Sequence, residues 1–194
     1  MNKTLRLAAA ALGVLAFGLS ASGLMIKAPL ADLTAGAAAI VLGRVIEARS
    51  SWSLDNSLIV TLTTIEVRET LKGRSVSRLI AVQTPGGQVG DLRLAVSDEP
   101  GFAADETVLL FLKPLSSRLS GANSILALTS PEPVYTLLEK AQGKYSIDGN
   151  GLAVKTGYRL LAADGSDDTS LPLDELKKRI RALLRGPAAA RRIP

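Results

Sequence analysis

Leu58-Ile59-Val60-Thr61-Leu62-Thr63-Thr64-Ile65-Glu66-Val67-Arg68-Glu69-Thr70-Leu71 is the stretch on which the fold turns. Its apolar residues stand at 58, 60 and 62, then at 65, 67 and 71. Alternation of period two marks a strand with one buried face. The parity changes between Thr63 and Ile65, and a β-bulge there would let the strand keep its face. The spacing therefore predicts one long, bent strand able to curve around a barrel.

Working outward, residues 40–48 (IVLGRVIEA) are rich in β-branched residues and predict the strand before it. The polar segment 50–57, which holds Trp52, is the turn between the two. Upstream, residues 29–39 (PLADLTAGAAA) form a short helix weakened by Gly36. Downstream, residues 78–83 (RLIAVQ) are a third strand, stopped by Thr84-Pro85-Gly86-Gly87. Residues 91–97 alternate, with Leu92, Leu94 and Val96 on one side, and predict a half-buried strand. Residues 107–112 (TVLLFL) are apolar throughout and predict a central strand covered on both faces. Residues 122–128 and 135–138 are further strands. Asp148-Gly149-Asn150-Gly151, between short apolar runs, signals a hairpin. From 172 to 185 runs an amphipathic helix: Leu173, Leu176, Ile180, Leu183 and Leu184 share a face. Its acidic residues come early and its basic ones late, matching the helix dipole. No internal repeat is visible. The pattern is mainly β, a small barrel or sandwich in one domain over residues 23–187, with residues 188–194 a tail.

The first 22 residues have another purpose. Met1-Asn2-Lys3-Thr4-Leu5-Arg6 is a basic start, residues 7–19 are uncharged and apolar, and Ser20-Ala21-Ser22-Gly23 supplies small residues for cleavage. That is the layout of a secretory signal peptide, so the protein is expected to be secreted or periplasmic. Its removal takes Lys3 and Arg6 out of a formal net charge of +5. No stable membrane insertion is expected after cleavage. A mature chain of about 170 residues is long enough to hold together by burial alone.

The 194 residues include no Cys and no His. Disulfides, thiol nucleophiles, imidazole bases and Cys/His zinc sites are thereby excluded. What remains is carboxylate acid–base work or metal binding by oxygen. Asp98, Glu99, Asp105 and Glu106 fall in one loop, where a protonated and an ionised carboxylate could work on a glycosidic bond if they shared a cleft. Asp164 to Asp168, with Glu175 further on, has the oxygen spacing of a calcium loop, but Thr169 stands where glycine makes the sharp turn. We assign no catalytic residue, no metal and no cofactor. Gly86, Gly87 and Gly90 lie in a glycine-rich link whose N–H groups could cradle an anion. With Trp52, Asp98, Glu99 and Asp105 they make up the candidate binding set. Lys177, Lys178, Arg181 and Arg185 form a basic helix face, read as a solvated surface. One Trp, three Tyr and three Phe are too few for a base-stacking platform, so nucleic acid is not expected as a partner.

Three blocks carry a resemblance. They are residues 37–45 (AAAIVLGRV), residues 67–73 (VRETLKG) and residues 102–112 (FAADETVLLFL). The series resembles an uncharacterised family of secreted bacterial and archaeal proteins, and more distantly the OB-like netrin module and the tissue inhibitors of metalloproteinases. The resemblance covers roughly residues 30–155 and implies an OB-like β-barrel. Those inhibitors place an N-terminal Cys on the target's zinc, and with no Cys here that mechanism does not carry over. Asp105 stands where the family pattern prefers Gly, and the helix between the third and fourth OB strands is not evident. The expectation is an exported, non-enzymatic binding protein with a protein partner in the envelope or medium. An inhibitor or partner of a secreted protease and a glycan-binding or glycan-cleaving protein are the alternatives. An inhibitor would need a projecting loop, at 84–90 or 98–105.

Overall fold

The computed structural model describes residues 25–26, 28–73, 76–116, 120–155, 160–161 and 169–186. The expected signal peptide, the tail and the Asp164 to Asp168 part of the calcium-like run lie outside them. Two long strands, β2 (Ala39–Trp52) and β3 (Ile59–Lys72), pair antiparallel along their length. β4 (Leu79–Pro85) continues the meander on the far side of β3. β7 (Thr107–Pro114) pairs with the other edge of β2, and β8 (Val134–Leu137) bonds both β4 and β7. These five strands thus bond in a ring, β2-β3-β4-β8-β7, in which only β4 and β8 run parallel. β9 (Lys144–Ile147), β10 (Leu152–Val154) and β12 (Ser170–Pro172) extend the sheet from β7. A hairpin of β5 (Gly87–Val89) and β6 (Leu92–Leu94) stands between β4 and β7. β1 (Met25–Ile26) pairs with β11 (Leu160–Leu161).

β7 explains why the molecule has two main cores. Residues 108–112 are fully buried on both faces, as their unbroken apolar run predicts. Val108, Leu110 and Leu112 pack with Val41, Ile65 and Ile80. Leu109 and Phe111 face the other way, onto Leu33 of α1 (Leu30–Gly36) and onto Leu176 and Ile180 of α3 (Leu173–Arg185). A smaller core joins Leu62 and Ala81 to Ala127 of α2 (Ile125–Thr129).

Several expectations are corrected. The parity change in β3 is not a bulge of β3 at that point, since residues 60–66 pair with β4 without a break. Leu62 packs under α2 while Ile65 enters the opposite core, so β3 is apolar on both faces. The register break beside it puts an extra residue, Ile46, on β2, between Val45↔Ile65 and Glu47↔Thr64, and the extra residues of β3 lie further on, at Arg68 and Leu71. Residues 122–128 are not a strand: the Ser124 hydroxyl accepts from the Ala127 N–H and caps α2. The glycine-rich link contains β5, and the strand expected over 91–97 shrinks to β6, with Leu92 59% exposed. Leu183 is also exposed, so the buried stripe of α3 is narrower than expected.

The basic face of α3 is only partly solvated. Lys177 and Arg181 both reach Glu69 of β3, each at 2.6 Å, and strap the helix to the sheet.

Candidate functional site

Two cavities open where β2 finishes and β4 ends. The first, of about 300 Å³, is floored by Ala48, Thr61 and Thr84 and walled by the β5–β6 hairpin on one side and residues 95–102 on the other. The second, of about 480 Å³, lies on the adjoining flank. Its ladder explains it. The parallel pairing of β4 and β8 stops at Val82↔Tyr135, while Gln83 and Pro85 of β4 and Thr136 and Leu137 of β8 line the gap beyond. Pro85 and Glu99 line both cavities, so the two share a wall.

The hairpin is fixed by backbone fit. Gly86 donates to the Ile59 carbonyl at 2.8 Å, and the Thr61 hydroxyl donates to the Gly86 carbonyl at 2.7 Å. Gly87 has φ +135, and a Cβ there would collide with the hydroxyls of Ser50 and Thr61. Glycine is required on both counts. Gly90, at the hairpin tip, has open space around it.

The facing loop is held by a buried ion pair that the sequence did not announce. Lys144, 4% exposed, lies 2.7 Å from Glu106 and donates to the Gly101 carbonyl at 2.7 Å. Its ammonium sits 4.8 Å from the Phe102 ring centre. The Ser146 hydroxyl and the Ala103 N–H donate to the same carboxylate. Burial pushes the Glu106 carboxyl up, but the bonds from Lys144, Ser146 and Ala103, with the Lys144 charge, overcome it and hold Glu106 below its usual range. Ala141 donates to the Asp98 carbonyl at 3.0 Å, which joins the loop to the turn after β8. Asp98, Glu139 and Lys140 all have left-handed backbone, with φ of 63, 52 and 53. Such strain in non-glycine residues persists only where surrounding bonds impose it.

The four loop carboxylates do not act together. Asp105 is ion-paired with Arg44, Glu106 with Lys144, and neither lines a cavity. Of the four, Glu99 alone lines the cavities. Burial raises its carboxyl above the ordinary value, assisted by Asp98 and opposed by Lys140 and Lys113. Of the candidate binding set, Gly86, Gly87 and Glu99 come together in the first cavity. Asp98 stands next to it, Trp52 lies at the end of β2 and is 39% exposed, and Gly90 and Asp105 are elsewhere. Among the described residues, three or more acidic side chains nowhere gather as a metal site.

No protein-family model matches the chain, and no curated protein matches it.

The residues around the cavities stand out by their charge state. Most cations elsewhere are paired: Arg44 with Asp105, Arg78 with Glu66, Arg181 with Glu69. Among the described residues, Arg93, Glu99, Lys113, Glu139 and Lys140 line the cavities and make no ion pair. Sequence reasoning found Glu99 in its loop but not the others. Lys113 is a single charge ending an apolar strand, and Glu139 and Lys140 look like any surface turn. Exposed apolar side chains lie close by: Trp52, Leu54 and Ile125 flank the Ser53–Ser124 bridge, and Leu92 stands on the hairpin. Gln83 and Asn123, at 7% and 5% exposure, are cross-linked at 2.8 Å in the wall of the second cavity.

Proposed function

We propose that this is an exported, non-enzymatic binding module that engages its ligand at the end of the strand ring where the two cavities meet. The observation that carries the reading is the gathering there of unpaired charge around concave walls, with exposed apolar side chains on the adjoining β5–β6 hairpin and beside the Ser53–Ser124 bridge. Cavities of this size with a few convergent polar groups are the usual form of ligand sites. The partner we propose is a protein of the envelope or medium, met by Trp52, Leu54, Leu92 and Ile125. Aromatic and apolar anchors of this kind carry most interface energy. The export half of the reading rests on residues 1–23, and the non-enzymatic half on the lack of His and Cys and on the commitment of Asp105 and Glu106 to cations.

The architecture we infer is an OB-like barrel. Five strands in the order β2-β3-β4-β8-β7, with β4 and β8 parallel, support it. The β5–β6 hairpin occupies the connection where the OB pattern carries a helix. For the protease-inhibitor alternative, residues 84–86 bond back onto β3, and Asp98 and Gly101 are tied to the turn after β8 and to Lys144, so of the two loops it is the hairpin tip at Gly90 that stands free. A small-ligand reading is favoured by one specific feature, the placing of Arg93 and Glu99 on separate walls of the first cavity.

Binding of a small-fragment library, followed by amide shifts in a nitrogen-15 spectrum of the exported protein, tests the site. Hits clustering on Thr84, Gly86, Glu99 and Asn123 are expected. Hits on α3 or the β9–β10 hairpin, or none at all, contradict it.

A further inference from the structure

The first cavity has a chemical polarity. Arg93 comes from β6 and brings a guanidinium that no carboxylate among the described residues answers. Glu99 comes from the facing segment and makes no direct ion pair, with Lys140 and Lys113 the cations that act on it from further off. Thr84 lies in the floor and is 4% exposed; its hydroxyl is open to the cavity and makes no hydrogen bond among the described residues. A hydroxyl facing a cavity with no protein partner is free to bond a bound group. Thr61, by contrast, is already committed to Gly86. Ala48, Val96 and Phe102 supply apolar wall between the charged ends.

We infer that this cavity binds a small monocarboxylate that also carries hydroxyl or ammonium donors, its carboxylate on Arg93 and its donors on Glu99, with the Thr84 hydroxyl bonding between them. This rests on the small-ligand reading of the same site. A guanidinium recognises a planar carboxylate through paired N–H donors. The Glu99 carboxylate disfavours a phosphate dianion beside it and favours a donor. A volume of about 300 Å³ stands at the lower bound for ligand pockets and suits a single small molecule rather than a polymer. A sugar acid and a free amino acid both meet this description.

Titration of the nitrogen-15-labelled exported protein with D-galacturonate, L-glutamine, D-galactose and inorganic phosphate tests it. Saturable shifts at Thr84, Gly86, Gly87 and Gly101 with galacturonate identify the sugar acid, and with glutamine the amino acid; either supports the inference. Galactose and phosphate are expected to bind at least tenfold more weakly. Arg93→Gln, on an exposed side chain, should weaken the acid about tenfold, roughly 1.4 kcal/mol, with the rest of the spectrum unchanged. Thr84→Val, which keeps the shape, should weaken it several-fold. Galactose or phosphate binding as tightly as the acids overturns the ligand class and leaves the site. Acids that shift none of these amides, or that ignore Arg93→Gln, overturn the inference. If the fragment library also leaves the cavity silent, the site reading falls with it.

Discussion

Lys144 and Glu106 show how single residues hold the wall of the site. A buried charge is tolerated only when paired and bonded, and both conditions are met here. Glu106→Gln leaves the ammonium buried without its counter-charge and should cost about 3 kcal/mol in urea unfolding. The double change Glu106→Leu with Lys144→Met should cost less than Glu106→Leu alone, because no lone charge is left inside. Acid should act through the same carboxylate. Its folded value lies below the ordinary 4.5, so its stabilisation is present above that value and is lost as pH falls through the folded one. Asp55 adds to this at lower pH: hydrogen bonds from Ser53 and Ser57 hold its carboxyl at about 2. Unfolding midpoints measured from pH 6 down to pH 2 should fall, and Glu106→Gln should flatten the upper part of that fall. Gly43 is a second sensitive residue. A Cβ there would stand 2.6 Å from Ile65 and 2.7 Å from the Glu66 carbonyl, so Gly43→Ala should lower stability by about 1–3 kcal/mol.

Elements were legible where one signal dominated. The α3 stripe with Pro172 before it and Gly186 after it fixed the helix, and Ile180→Ala should cost about 2–5 kcal/mol by thermal unfolding. Glu69→Gln, which removes the anchor of Lys177 and Arg181, should cost less than about 1 kcal/mol, as partly exposed pairs do. The Asp148 turn was legible too, since its carboxylate accepts from the N–H groups of Asn150 and Leu152 and closes the loop locally. β3 was found as a strand, yet the meaning of its parity change was not. Between Thr63 and Ile65 the strand is buried on both faces and loses alternation without bulging, and only the pairing with β2 shows where the extra residues lie. α2 misread as a strand for a related reason: five apolar-rich residues contain less than two helical turns, and the Ser124 cap is a three-dimensional fact. The candidate site was half visible. Gly86, Gly87 and Glu99 stood out by type, whereas Thr84, Arg93, Lys113 and Lys140 come together only through the ring.

At the scale of the molecule, the ring of strands leaves its features unevenly spread. One outer face is covered by α1 and α3 over an apolar core. The end of the ring keeps two cavities, unpaired charges and exposed Trp52, Leu54, Leu92 and Ile125. A stability-driven fold has no need to concentrate strain, charge and apolar exposure in one place; a binding surface does. The most direct test of that claim is photo-crosslinking in the native cell, with a crosslinking amino acid at position 92 and, as control, at position 79. Both positions carry exposed leucines, but only the first stands on the hairpin that walls the first cavity. The account predicts a discrete covalent adduct from position 92 that is lacking from position 79. No adduct from position 92, or the same adducts from both positions, would contradict it.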